Sequence, residues 1–236
     1  MVKAFVLCGG VGTRLRPYTY TVPKPMLTLG KKPILEYVIN NLERSGFTDL
    51  VLTVGYLQDK ITDYFGDGSG FGVSIEYAVE APDAKLGTAG SIYPYKEVVK
   101  EPFIVVMGDH LTNCDLRKLY DYHIERSGPA TVAFKRTGVP IEYGIAHIDG
   151  DNHVTRFEEK PIVENLINAG MYAFDPEVFD HITEKCDFAK NVFPSLLNKK
   201  KFINAYLFNE YWIDIGRLKD YEELNTTISV AELIHK

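Results

Sequence analysis

An apolar, β-rich run from Val2 to Cys8 ends at Gly9-Gly10-Val11-Gly12-Thr13-Arg14-Leu15-Arg16-Pro17. A short apolar run bounded by glycine reads as a fully buried strand entering a tight loop. The glycines at 9, 10 and 12 let the backbone approach a ligand and aim successive N–H groups at one anion. The spacing excludes two familiar phosphate loops. G-x-G-x-x-G fails because Gly10 and Gly12 are followed by Leu15, and no Gly-Lys-Ser/Thr completes a P-loop. Arg14, Arg16 and Pro17 also interrupt the helix that a dinucleotide-binding turn would start.

The pattern that follows predicts alternating elements. Leu50–Val54, Val73–Val79 and Phe103–Met107 read as strands. Pro33–Ser45, Leu57–Phe65, Thr88–Val98 and Leu116–Arg126 read as helices, the first with Pro33 at its start and Gly46 past its end. This alternation predicts an α/β chain of βαβ units, with a mainly parallel sheet flanked by helices on both faces. After residue 129 the rhythm becomes β-rich, with strands expected at Thr131–Phe134, Gly144–Ile148, Val154–Phe157 and Ile167–Phe174. Helices are expected at Pro176–Ile182, Val192–Leu197 and Leu218–Asn225.

Of the 236 residues, 45% are hydrophobic and 25% charged, an ordinary globular balance. No apolar run approaches the roughly 20 residues of a membrane span, and the N-terminus lacks the apolar core of a secretory signal. Cys8, Cys114 and Cys186 are too widely spaced for a disulfide framework or a zinc site. Cytoplasmic residence is the expectation. A net charge of −6 argues against nonspecific nucleic-acid or membrane binding, so a polyphosphate ligand would need cations gathered locally. Arg14 and Lys24 fit that need. Lys24 stands in Val22-Pro23-Lys24-Pro25-Met26, where flanking prolines limit where its ammonium can point.

G-G-V-G-T-R-L-R-P followed by V-P-K-P-M closely resembles the signature of sugar-nucleotide pyrophosphorylases, the sugar-1-phosphate nucleotidylyltransferases. The resemblance continues through Leu86-Gly87-Thr88-Ala89-Gly90, Gly108-Asp109, Glu158-Glu159-Lys160-Pro161, Asn168-Ala169-Gly170 and Trp212-Ile213-Asp214-Ile215-Gly216. It implies a Rossmann-like, mainly parallel mixed sheet flanked by helices with a β-rich sugar-binding part, the nucleotide-diphospho-sugar transferase fold, and a Mg2+-dependent reaction of a nucleoside triphosphate with a sugar-1-phosphate. Carried over, Arg14, Lys24 and Asp109 are catalytic, and Asp109 and Asp214 hold Mg2+. Leu7, Gly9, Gly10, Gly12, Thr13, Glu80, Gly87 and Thr88 bind nucleotide; Gly144, Glu159, Lys160 and Asn168 bind the sugar phosphate. Taken singly, Asp109 also reads as a helix cap and Asp214 as a turn residue. A hard cation that keeps its waters and takes two carboxylates plus phosphate suits the pair.

Relatives acting on uracil or thymine commonly carry Gln near the Glu80 position. A carboxylate only accepts hydrogen bonds, so Glu80 suits the adjacent ring N–H and amine of guanine; solvation of Glu80 is the plain alternative. The segments Asn165–Val178 and Tyr211–Tyr221 look most like mannose-1-phosphate guanylyltransferases and their heptose relatives. The expectation is therefore GTP plus mannose-1-phosphate giving GDP-mannose, with glucose-1-phosphate uridylyl or thymidylyl transfer second. A non-catalytic regulatory paralogue is the alternative of another class, weakened by the presence of Arg14, Lys24, Asp109 and Asp214. A dehydrogenase is weaker still, for want of the dinucleotide spacing. One nucleotidyltransferase domain is expected over 1–236: 1–129 mainly nucleotide-binding, 130–216 mainly for the sugar phosphate, and 217–236 a helix and tail that leaves homo-oligomerisation open. That division leaves no room for the C-terminal β-helix domain of longer relatives.

Overall fold

The computed structural model describes residues 2–81 and 84–227. β1 (Lys3–Leu7) leads to a small hairpin of β2 (Thr28–Leu29) and β3 (Lys32–Pro33), then α1 (Ile34–Arg44), β4 (Asp49–Val54), α2 (Asp59–Phe65) and β5 (Ser74–Val79). One helical turn, α3 (Gly87–Gly90), precedes β6 (Phe103–Met107), β7 (His110–Thr112) and α4 (Leu116–Arg126). β8 (Ala130–Pro140), β9 (Ile145–Ile148), β10 (Val154–Glu158) and β11 (Ile162–Phe174) form the β-rich stretch. α5 (Phe193–Asn198), β12 (Ile203–Phe208), β13 (Trp212–Asp214) and α6 (Leu218–Thr227) follow.

Seven strands make one sheet in the order β12-β8-β11-β6-β1-β4-β5. β1 pairs in parallel with β4 and β6, β4 with β5, and β12 with β8; β11 alone runs antiparallel, between β6 and β8. Side chains alternate across the sheet, and both faces are buried. Ala4 and Val6 pack with Leu35, Val38, Ile39 and Leu42 of α1 and with Leu116 and Leu119 of α4. Phe5 and Leu7 face the other way, onto Ile92, Phe103, Phe179, Phe188 and Leu196.

Local chemistry explains the element ends. The four apolar α1 residues recur at i, i+3, i+4 and i+7, the stripe a core-facing helix needs. Gly46, at φ +82°, closes that helix. The Gly46 and Phe47 N–H groups donate to Glu43 and Leu42 carbonyls at 2.9 Å each. Asp115 caps α4, its carboxylate accepting from the Arg117 and Lys118 N–H groups at 3.0 and 3.3 Å.

Two expectations change. The helix expected over Thr88–Val98 shrinks to α3 and a 3-10 turn at Tyr93–Tyr95, because Pro94 cannot donate within a helix and clashes with the preceding turn. The Thr131–Phe134 and Ile167–Phe174 strands are longer than expected, because β8 and β11 continue pairing from Phe134↔Asn168 out to Pro140↔Ile162. These extensions, with the separate β9–β10 pair that lies between them in the chain, make up the arm. The tail expected after α6 lies outside the described residues.

Candidate active site

β1, β4 and β5 are laid down to one side and β6 to the other, so strand order reverses between β1 and β6. Ligand crevices of open α/β sheets lie at the carboxyl ends of strands at such a reversal. The glycine loop leaves β1 there, and Gly108-Asp109 leaves β6, with the Gly108 N–H donating to the Leu7 carbonyl at 2.9 Å. A Cβ on Gly108 would lie 2.6 Å from the Cys8 sulfur. Only glycine lets the two strand ends approach this closely.

The loop begins no long helix. Thr13–Leu15 and Tyr18–Tyr20 form 3-10 turns, as the arginines and Pro17 imply. Gly12 is left-handed at φ +62°, and a Cβ there would meet Thr19 Cγ2 at 3.0 Å and Lys24 Cβ at 3.3 Å. The Thr19 hydroxyl donates to the Gly12 carbonyl at 2.8 Å. Lys24 opens a 3-10 turn between Pro23 and Pro25, held by Met26 N–H donating to Pro23 O at 2.8 Å. Its ammonium is thereby aimed at Asp109, with which it pairs through Oδ2, and at Asp214 Oδ1 at 3.3 Å. Gly9, Gly10, Gly12, Thr13, Arg14, Lys24 and Asp109 line a cavity of about 260 Å3.

Asp214 reaches this place because β13 pairs antiparallel with β7, Asp214 opposite His110. Neither three-residue strand is apparent from residue spacing, and nothing in the sequence motifs marks His110. Its Nε2 lies 3.6 Å from Asp109 Oδ1 and 3.5 Å from Asp214 Oδ1, and its Nδ1 3.0 Å from the Ala169 carbonyl. Burial pushes the Asp214 carboxyl up, but the His110 hydrogen bond and the Lys24 charge outweigh it and hold the group well below the ordinary carboxylate range. Burial lowers the His110 imidazole, and its contacts with Asp214 and Asp109 more than offset that. Burial, then the Asp109 charge, pushes the neighbouring Cys8 thiol well up, so no thiolate nucleophile is present here.

A second cavity of about 340 Å3 shares Leu7, Gly9, Gly10 and Met107 with the first, and adds Glu80, Gly87 and Thr88. The Glu80 carboxylate lies over Gly9, where a Cβ would be 3.1 Å from Oε1. Burial raises its pKa. Gly87 and Gly90 also serve packing. A Cβ on either would come within 2.5 Å of the Cys186 or 2.4 Å of the Glu184 carbonyl oxygen. Thr88 accepts from the Phe188 N–H at 3.0 Å, so its hydroxyl is partly committed to the fold.

The four residues expected at the sugar phosphate line neither cavity. Gly144 and Glu159 are neighbours, a Cβ at 144 falling 2.8 Å from Glu159 Oε2. Glu159 and Lys160 are exposed, Lys160 at φ +46°. Asn168 turns back on its own strand, its amide donating to Tyr172 and its carbonyl accepting from the Gly170 N–H at 2.9 Å. It adjoins Ala169, whose carbonyl also accepts from the Trp212 indole at 2.9 Å. That turn joins the arm to the aspartate pair.

Comparison with known proteins finds relatives over most of the chain. A mannose-1-phosphate guanyltransferase of Kluyveromyces lactis is 38% identical over 229 residues, which cover 93% of this chain and 63% of that protein. A UTP–glucose-1-phosphate uridylyltransferase of Synechocystis is 35% identical over 240 residues, covering 93% of this chain and 61% of that one. The chain thus spans somewhat under two thirds of the length of these relatives. Among solved structures, HddC from Yersinia pseudotuberculosis superposes with a TM-score of 0.75 at 27% identity, covering 95% of this chain and 98% of that one. The same protein has also been solved with GMP-PN. The sequence profile of the nucleotidyl transferase family matches residues 3–230, and the chain belongs to that family.

Proposed function

We propose that the chain transfers a nucleotidyl group from a nucleoside triphosphate to a sugar-1-phosphate, releasing pyrophosphate, with GTP and mannose-1-phosphate as its preferred pair. The observation that carries this reading is that Arg14, Lys24 and Asp109 line the cavity at the glycine loop, with Asp214 drawn to its edge by its pairing with Lys24. A regulatory paralogue would have no need of that charge arrangement.

In the reaction a phosphate oxygen of the sugar phosphate forms a bond to the α-phosphorus. The bond from that phosphorus to the bridging oxygen breaks, and pyrophosphate leaves with the electron pair. Both reactants are anions, so positioning and charge neutralisation supply most of the acceleration. The loop N–H groups and the Arg14 and Lys24 cations hold the triphosphate and stabilise charge at the α-phosphate. Arg14 and Lys24 thereby gather cations at one spot of a protein that is negative overall.

Asp109 and Asp214 are the residues to hold Mg2+. The donor set suits it: the carboxylates converge, and Asp109 Oδ1 is buried without a hydrogen-bond partner, an arrangement that a cation satisfies. Bound there, a divalent ion supplies charge neutralisation to phosphate oxygens.

Glu80 supports guanine. Its carboxylate sits in the cavity adjoining the glycine loop, where it accepts from two neighbouring donors and repels a uracil carbonyl. The uridylyltransferase relative keeps UTP or dTTP with glucose-1-phosphate as the second reading. We place the nucleotide mainly within residues 1–129 and the sugar phosphate along 130–216, with Gly144, Glu159, Lys160 and Asn168 meeting it. The test is a panel of triphosphates against mannose-, glucose- and N-acetylglucosamine-1-phosphate with Mg2+, repeated with Glu80→Gln. The expected result is a GTP preference that Glu80→Gln moves toward UTP by tenfold or more, about 1.4 kcal/mol. UDP-glucose without GDP-mannose from the unaltered protein contradicts the guanylyl assignment.

A further inference from the structure

We infer that His110 is the third ligand of a mixed nitrogen–oxygen cation site with Asp109 and Asp214, and that this site prefers Mn2+ or Co2+ to Mg2+. The inference rests on the reading that the two aspartates hold a divalent cation, and extends it to a residue and a metal preference. One atom of each of the three side chains lies within 4.8 Å of the others.

The hydrogen bonds of the ring determine which nitrogen faces the aspartates. Nδ1 contacts the Ala169 carbonyl at 3.0 Å. A carbonyl oxygen only accepts, so Nδ1 carries the hydrogen and donates it. That leaves Nε2 directed at Asp214 Oδ1 and Asp109 Oδ1, at 3.5 and 3.6 Å. A metal-binding histidine characteristically fixes its other nitrogen on a backbone carbonyl or carboxylate in this way. One atom of each side chain converges here: Nε2, which without a cation donates to Asp214, would give up that proton to bind a metal, and Asp109 Oδ1 is buried with no hydrogen-bond partner.

The ring is held in that pose from three sides. The β7–β13 register sets His110 opposite Asp214. Trp212 meets the imidazole edge-on at 5.3 Å and shares its carbonyl acceptor. Gly170 at φ +68° leaves the space the ring occupies, for a Cβ there would lie 2.7 Å from His110 Cε1. Charge is also incomplete. Lys24 supplies one positive charge to the two carboxylates, leaving a negative charge for a divalent ion to meet. Two carboxylates alone form a hard oxygen site suited to Mg2+, whereas an imidazole nitrogen shifts preference away from Mg2+ toward first-row transition ions.

The test is titration of Mn2+ into the metal-free full chain without substrates, followed by electron paramagnetic resonance, with spin-echo modulation reading nitrogen bound to the metal. Mg2+ affinity is read by competition. The expected result is a directly coordinated nitrogen in the unaltered protein. His110→Phe loses that signal and binds Mn2+ about tenfold or more weakly, with a much smaller change for Mg2+. If His110→Phe fails to fold, His110→Gln reads the same quantities. Absence of the nitrogen signal in the unaltered protein, or unchanged Mn2+ affinity in a folded His110 variant, overturns the inference. Pyrophosphate release with Mg2+ is a separate readout: its absence contradicts the transferase reading and leaves the nitrogen signal to decide the ligand question.

Discussion

At the carboxyl edge of β1 and β6 the charged groups are already arranged by the fold. Lys24 sits against Asp109 and Asp214, His110 is clamped between Ala169 and the aspartates, and glycines bring the two strand ends together. Along the arm of β8–β11 the charged groups stand in solvent. Glu159 and Lys160 are exposed, and the ion pair Arg136–Glu164 at 3.5 Å joins two largely exposed side chains. The half-buried pairs in the crevice are held in place by the fold, whereas exposed pairs contribute little. The difference teaches that the crevice, which the proposed function gives to the triphosphate, is preorganised, while the arm proposed for the sugar phosphate holds its charged groups only loosely. Substitutions in the crevice should therefore act on turnover, and those in the arm on KM.

The largest effect to break that contrast is expected at Lys24 and Asp109. Lys24→Ala or Asp109→Asn should lower kcat by about a hundredfold or more in protein that melts cooperatively, measured by pyrophosphate release beside thermal denaturation. A KM change with kcat preserved would remove the preorganised crevice. Next, Lys160→Ala should raise KM for the sugar phosphate about tenfold, about 1.4 kcal/mol, with a smaller change in kcat and little change in melting temperature. An equal loss of kcat would erase the distinction between the regions.

Gly144→Ala sharpens it. The new methyl would crowd Phe157 and Glu159, 2.5 and 2.8 Å away, and should raise the same KM several-fold while KM for the triphosphate holds steady. The smallest effect is on stability. Burial depresses the pKa of His123, against a weaker opposing Asp175 charge, and its Nε2 has no hydrogen-bond partner. The unfolded chain then binds more protons at mildly acid pH, so stability is full above about pH 6.5 and falls below it, by up to roughly 1.4 kcal/mol per pH unit. Urea unfolding across pH 5 to 8 checks this, and His123→Gln should flatten the slope.

How far the sequence could be read follows the same division. β1, β6 and α1 were legible because apolar runs and helical periodicity end at glycines. Arg14, Lys24 and Asp109 were legible because they follow those ends directly. The helix over Thr88–Val98 failed at Pro94, where the periodic pattern outran the backbone chemistry. β7, β12 and β13 were missed because three-residue strands and a half-exposed edge strand leave weak alternation. His110 was missed for the same reason: the pairing of β7 with β13, opposite Asp214, is a long-range register that residue spacing does not carry. A histidine directly after Gly108-Asp109 was the available signal.

The most direct test of the central claim follows products from purified protein given GTP, mannose-1-phosphate and Mg2+, by mass spectrometry. The account predicts GDP-mannose and pyrophosphate in equal amounts, both lost in Lys24→Ala and Asp109→Asn. Hydrolysis of GTP without a sugar nucleotide, or no turnover with any triphosphate and sugar-1-phosphate, would contradict it.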